Sequence, residues 1–168
     1  MLFVLWEVSF VMIRIIGIGQ SLRGDDRVGQ AAVRLWEKTY PETVQQPNIF
    51  VDVVENPGIG LLNLIEGADS AILVDAVQSG AAPGSIYQLR EKELAAFLAG
   101  ADSAHGWGVA ETLALGRKID SENMPKKIDL IGIEIAQVKL GENLSVEVEA
   151  SLSEAVRLIE EIIEASIS

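Results

Sequence analysis

Four short apolar runs set the pattern of the chain. They are Ile13-Arg-Ile-Ile-Gly-Ile18, Asn48-Ile-Phe-Val-Asp-Val-Val54, Ser70-Ala-Ile-Leu-Val-Asp75 and Lys127-Ile-Asp-Leu-Ile-Gly-Ile133. Each is rich in β-branched residues and reads as a strand with both faces buried. Between them the apolar period lengthens. From Asp25 onward, Val28, Ala32, Leu35 and Thr39 fall at helical spacing, with Asp25 and Asp26 in the first turn, where acids suit the helix dipole. Pro41 is expected to end that helix. Asn56-Pro-Gly is a loop signal, and Leu61, Leu62, Leu64 and Ile65 suggest a short helix after it. Ala82-Pro-Gly84 reads as a turn and Ser85–Leu89 as a hairpin or edge strand. Helices follow near Glu91–Leu98 and from about His105 through Val109, Leu113 and Leu115. The last runs from about Val148 to Ser166, with Val148, Leu152, Ala155, Ile159 and Ile162 on one stripe. Strands alternating with helices predict an α/β fold of three layers, a mostly parallel twisted sheet with helices on both faces.

Length and composition narrow this further. A chain of 168 residues suits one domain with a real core. The formal net charge is −12 and no basic stripe occurs, which argues against nucleic acid as a partner. Cysteine is absent, so disulfides, thiolate metal sites and cysteine nucleophiles are excluded. The apolar start Met1-Leu-Phe-Val-Leu-Trp-Glu-Val-Ser-Phe-Val-Met12 lacks a preceding cation and a small-residue cleavage site, and is too short to span a bilayer. Residues 1–11 read as an upstream extension with Met12 as the true start, and residues 12–168 as a single domain; the alternatives for residues 1–11 are an extra edge strand or a disordered tail. A cytoplasmic protein without membrane contact is expected.

The chain has one histidine, His105, and it falls between acidic clusters that a parallel sheet brings to one rim. Asp26 follows the first strand at a helix start, Asp75 closes the third strand, and His105 stands at the start of a later helix. In open α/β sheets ligands bind beyond the carboxyl ends of the strands. Two carboxylates and an imidazole make a mixed oxygen/nitrogen set for a divalent transition metal, with positions left open for substrate or water. Each residue also has an ordinary structural reading. Asp25 or Asp26 can cap a helix, Asp75 can bond a nearby loop, and a lone histidine is commonly structural.

Other chemistries find less support. Gly17-x-Gly19 with Gly24 suggests nucleotide binding, but the third glycine is misplaced for the dinucleotide fingerprint and no Lys-Ser/Thr follows for a P-loop. An acidic pair also stands where a pyrophosphate would sit. Gly-x-Ser-x-Gly and His-Glu-x-x-His do not occur, so serine and zinc-helix hydrolysis are unsupported.

The segment Gly17-Ile-Gly-Gln-Ser-Leu-Arg-Gly-Asp-Asp-Arg-Val-Gly29 resembles the opening motif of the [NiFe]-hydrogenase maturation endopeptidases, Gly-x-Gly-Asn-x-Leu-x-x-Asp-(Asp/Glu)-x-x-Gly. The resemblance continues through Leu73-Val-Asp-Ala-Val77, Pro83-Gly84, His105-Gly-Trp-Gly-Val109 and Lys126–Ile133, covering nearly the whole chain from Ile13. It implies cleavage of a short C-terminal extension from a hydrogenase large-subunit precursor once nickel has been inserted. It implies that Asp26, Asp75 and His105 bind that metal and serve catalysis, with Asp25 as an outer carboxylate. Nickel would arrive with the substrate, zinc or cadmium standing in for it, and the protease would act as a monomer. Two positions depart from the pattern: Gln20 replaces the usual Asn, and Glu55-Asn-Pro-Gly-Ile-Gly60 lacks the Gly-Thr or Gly-Ser of many members. Two rival readings are a nickel-binding checkpoint protein that does not cut and a small nucleotide-binding α/β domain.

Overall fold

A computed structural model describes residues 10–98, 108–136, 140–141 and 143–168. Five strands form one sheet: β1 (Ile13–Ile18), β2 (Ile49–Val54), β3 (Ser70–Val77), β4 (Ile86–Arg90) and β5 (Lys127–Glu134), in the order β2-β1-β3-β5-β4. The β1–β2, β1–β3 and β3–β5 pairs are parallel. β4 is an antiparallel edge strand, with Ile86 opposite Ile133. The carboxyl ends of β1, β2, β3 and β5 therefore share one rim.

The runs of β1, β3 and β5 do not alternate because these inner strands bury both faces, whereas the edge strand β2 is only half-buried, with Phe50 exposed. On one face Ile13, Ile15, Ile72, Val74, Ile131 and Ile133 pack under helices α1 (Val28–Thr39) and α6 (Val146–Ile167). On the other, Ile16, Ile18, Ala71, Leu73, Ile128 and Leu130 pack with Leu61, Leu94 and Leu113. Those three come from α3 (Gly60–Ile65), α4 (Glu91–Leu98) and α5 (Val109–Ile119). The chain is tied to the domain from Val11, whose carbonyl accepts Asn48 Nδ2 at 2.8 Å, and from Met12, whose N–H donates to Asp69 Oδ2 at 2.8 Å. Among the described residues no helix is long and apolar enough to cross a membrane.

Four details differ from the sequence expectation. Asp25 and Asp26 lie in a separate 3₁₀ turn, Gly24–Arg27, rather than in the first α-helical turn. The buried face of α1 is Val28, Gly29, Ala32, Val33 and Trp36, while Leu35 and Thr39 face solvent. Trp36 decides the phase: its large ring is fully buried and its Nε1 donates to Glu160 on α6 at 2.9 Å. Pro41 does more than stop α1. It opens a short helix, α2 (Pro41–Val44), at the position where its missing N–H costs nothing. β3 continues two residues beyond Asp75 to Val77 because β5 pairs with it as far as Glu134.

The glycine pattern has a packing cause. A Cβ on Gly29 would lie 2.2 Å from the Val74 carbonyl oxygen and 2.4 Å from that of Ile18. One on Gly19 would lie 2.4 Å from the Asp26 carbonyl oxygen. These glycines let the start of α1 and the turn before it press directly onto the ends of β1 and β3. That contact sets the acidic turn on the carboxyl rim, and it removes the motive for a nucleotide reading.

Candidate active site at the carboxyl rim

Asp26 is 1% exposed, within the 3₁₀ turn that packs against β3. Its N–H donates to the Arg23 carbonyl at 3.1 Å, which fixes the turn. Asp75 is half-buried, and its Oδ1 accepts the N–H of Ala76 at 2.8 Å. It lines a cavity of about 490 Å³ together with Ile18, Gln20, Arg23, Gly108 and Thr112. Gly108 stands at the start of α5, three residues after His105 in sequence. His105 itself lies outside the described residues. Among the described residues alone, no group of three His, Asp or Glu side chains is placed to hold a metal ion. The expected ligand set includes His105, so this applies to the two aspartates without it.

Asp25 does a different job from capping its own helix. No side chain caps the 3₁₀ turn or α1. Asp25 is 6% exposed, and its two oxygens accept Ser145 N–H at 2.6 Å and Ser145 Oγ at 2.9 Å. Ser145 is the N-cap of α6, so the carboxylate sits at the positive end of that helix.

The rim is braced by side chains that the sequence reading passed over. Gln30 Nε2 donates to the carbonyls of Gly19 at 3.1 Å and Val54 at 3.0 Å, tying the ends of β1 and β2 together. Glu55 accepts Ser21 Oγ at 2.6 Å and Ser21 N–H at 3.1 Å, and these bonds hold its carboxyl below the usual range. Glu134, 1% exposed, ends β5 and accepts from the backbone of Ser79 and Gly80. One signal for it was present. Glu134 follows the apolar run Leu130-Ile-Gly-Ile133 just as Asp75 follows Ala71-Ile-Leu-Val74, and a carboxylate in such a place needs hydrogen bonds to be buried. A larger cavity, about 690 Å³, lies at the other end of β5 beside Lys126 and Lys127, and Asp75 does not line it.

A doubly covered parallel sheet with an acidic carboxyl rim places the chain among α/β proteins that bind ligands at that edge. The family model described as hydrogenase maturation protease matches residues 48–162, and the chain belongs to that family. It is 32% identical over 150 residues to the hydrogenase expression/formation protein HoxM of Azotobacter vinelandii, covering 87% of this chain and 69% of that one. It is 29% identical over 153 residues to the hydrogenase 2 maturation protease of Escherichia coli strain K12, covering 88% and 87%. The solved structure of the hydrogenase maturating endopeptidase HybD from E. coli superposes with a TM-score of 0.79 at 25% identity, covering 92% of this chain and 93% of that one. The same mostly parallel sheet flanked by helices is thus common to both.

Proposed function

We propose that this protein is the endopeptidase that removes the C-terminal extension of a [NiFe]-hydrogenase large-subunit precursor, and that it reads the nickel already seated in that precursor. The observation that carries the reading is Asp75, standing on the carboxyl rim in a cavity that also takes in Gly108. Covalent reach keeps the His105 Cα within about 11 Å of Gly108. Asp26 belongs to the turn pressed against the same strand, so the two aspartates stand on one edge, and His105 precedes Gly108 by three residues.

The chemistry follows from the donor set. Substrate-borne nickel docks against Asp26, Asp75 and His105, with zinc or cadmium as substitutes in the test tube. Docking holds the scissile peptide beside the carboxylates, and positioning of this kind contributes several kcal/mol of barrier reduction. Water adds to the peptide carbonyl carbon, the C–N bond breaks, and the proton taken from water ends on the leaving amine. Asp25 is ill suited as the base, because both its oxygens are engaged by Ser145. That leaves Asp26 or Asp75 to accept the proton. The partner is a folded precursor; nucleic acid and membrane play no part, and the protease acts as a cytoplasmic monomer.

The test is incubation with nickel-loaded and nickel-free precursor, followed by mass measurement. Loss of the extension from the nickel-loaded form alone is expected. Tight binding of the loaded precursor without any mass change would instead make the protein a nickel checkpoint.

A further inference from the structure

Arg23 stands apart from other arginines of the chain. Arg14, Arg34, Arg117 and Arg157 each hold a carboxylate, those of Asp52, Glu37, Glu91 and Glu154. Arg23 is exposed, and its side chain makes no hydrogen bond or ion pair with any described residue. The chain has 25 Asp and Glu against 13 Lys and Arg, so this cation is not left alone for want of acids.

The fold uses only the backbone around this residue. Arg23 N–H donates to the Gln20 carbonyl at 3.1 Å, and its own carbonyl accepts Asp26 N–H at 3.1 Å. The next N–H, that of Gly24, donates to the Gly141 carbonyl at 2.7 Å. The guanidinium therefore extends from a fixed base. Arg23 lines the cavity of about 490 Å³ that Asp75 also lines, and it is the one cation among the described residues there. The remaining walls include apolar Ile18, Leu61 and Val109.

That composition selects a ligand. A guanidinium offers a planar fork of N–H donors that fits a carboxylate through two parallel bonds. A phosphate group brings about two negative charges, and here it would meet one cation with Asp75 on the same wall. A single carboxylate matches the single cation, and the apolar walls suit the aliphatic atoms that carry it. Peptides bear such groups on Asp and Glu side chains and at the C-terminus.

We propose that Arg23 binds a carboxylate of the precursor's C-terminal extension, and so selects precursors that carry one close to the cut. The inference rests on the protease reading given above. In that reading nickel holds the mature side of the scissile bond against the aspartates. The extension, on the other side, has no metal to anchor it, and Arg23 is the unpaired charge in the same cavity. Its contribution is to binding. An exposed guanidinium is screened by water, whereas stabilising an oxyanion at the reacting carbonyl needs donors in a water-excluded site.

The experiment compares Arg23→Met and Arg23→Lys with wild type on nickel-loaded precursor. Arg23→Met is expected to raise KM about tenfold, with kcat within about twofold and Tm nearly unchanged. Arg23→Lys keeps the charge, loses the fork and is expected to fall between the two. Two altered precursors distinguish the source of the carboxylate. One has amides in place of the extension's Asp and Glu, and the other has an amidated C-terminus. One of them is expected to reproduce the Arg23→Met loss with wild type and to add nothing to it with Arg23→Met, because both changes remove the same pair. Wild-type KM in Arg23→Met, a loss in kcat alone, or indifference of the wild type to both altered precursors overturns the inference and leaves the protease reading intact. Cleavage absent from the wild type sinks that reading, and equilibrium binding of the nickel-loaded precursor then decides. Binding about tenfold weaker in Arg23→Met upholds the inference; equal binding, or none by either protein, overturns it as well.

Discussion

Asp25 reaches across 120 positions of sequence to hold Ser145, accepting its N–H at 2.6 Å and its hydroxyl at 2.9 Å. In a local capping box the residue at the third helical position returns to the N-cap N–H. In α6 that position is Val148, which is buried in the core and has no acceptor to offer. Asp25 supplies the acceptor from a distant turn and adds a negative charge at the helix start. One pair of hydrogen bonds thereby ties the turn that carries Asp26 to the longest helix.

Asp25→Ala leaves Ser145 N–H unmet in a half-buried place and removes the favourable charge. The expected cost is about 1–2 kcal/mol, or a fall in Tm of roughly 3–8 °C for a domain of this size. Asp25→Asn keeps an acceptor for the N–H and is expected to lose less. Thermal unfolding followed by circular dichroism measures both. Equal stability of Asp25→Ala and wild type would contradict the capping role.

Gly29 and Gly60 make opposite forecasts for the same substitution. A methyl on Gly29 would meet two backbone carbonyl oxygens at 2.2 and 2.4 Å, and backbone cannot step aside as a side-chain end can. Gly29→Ala is expected to cost about 3 kcal/mol or more, or to prevent folding, because α1 must lift off β1 and β3. Gly60 opens α3 with nothing within 4 Å of an added methyl. Gly60→Ala is expected to stabilise by about 0.4–1 kcal/mol through the unfolded chain. Urea midpoints of the two variants, read side by side, check the contrast.

Asp129 gives the stability curve a slope. It is 2% exposed, its Oδ2 has no hydrogen bond, and the nearest cation, Lys127 Nζ, is 3.8 Å away. Burial pushes its carboxyl above the ordinary range, with Lys127 and Arg90 pulling the other way. The folded protein therefore holds this proton more tightly than the unfolded chain. Stability tied to the proton is fully present below the unfolded value and is lost as pH rises through the folded one. Asp129→Asn is expected to flatten the curve over that interval, gaining on wild type as pH rises from the unfolded carboxylate value to neutrality. Denaturant unfolding at several pH values tests it, and parallel curves for the two proteins would show that Asp129 titrates alike in both states.

The sheet was largely legible because its signal is local. Each parallel strand announced itself by a β-branched apolar run, and the lack of alternation gave the two covered faces of the inner strands. Asp26 and Asp75 stood out as carboxylates beside strand ends, and both lie at the rim. What stayed hidden depends on residues distant in sequence. Nothing near Asp25 points to Ser145, so it read as the cap of its own helix. The phase of α1 turned on Trp36, which meets Glu160 far along the chain. The direction of β4 was left open between hairpin and edge strand, and only its register with β5 fixes it as antiparallel. Glu134 carried the same local signal as Asp75, but the strand reading ends at Ile133, one residue short of it.

The central claim is that Asp26, Asp75 and His105 act together on a nickel-loaded precursor. The amide replacements keep size and remove the charge that binds a cation, so any loss belongs to recognition or chemistry and not to packing. A cleavage time course on nickel-loaded precursor, read by mass with circular dichroism alongside, tests it most directly. Asp26→Asn, Asp75→Asn and His105→Ala are each expected to stay folded and to leave the extension uncut, a loss of about a hundredfold or more in rate. Wild-type cleavage by Asp75→Asn or by His105→Ala would contradict the account and move the active site elsewhere on the protein.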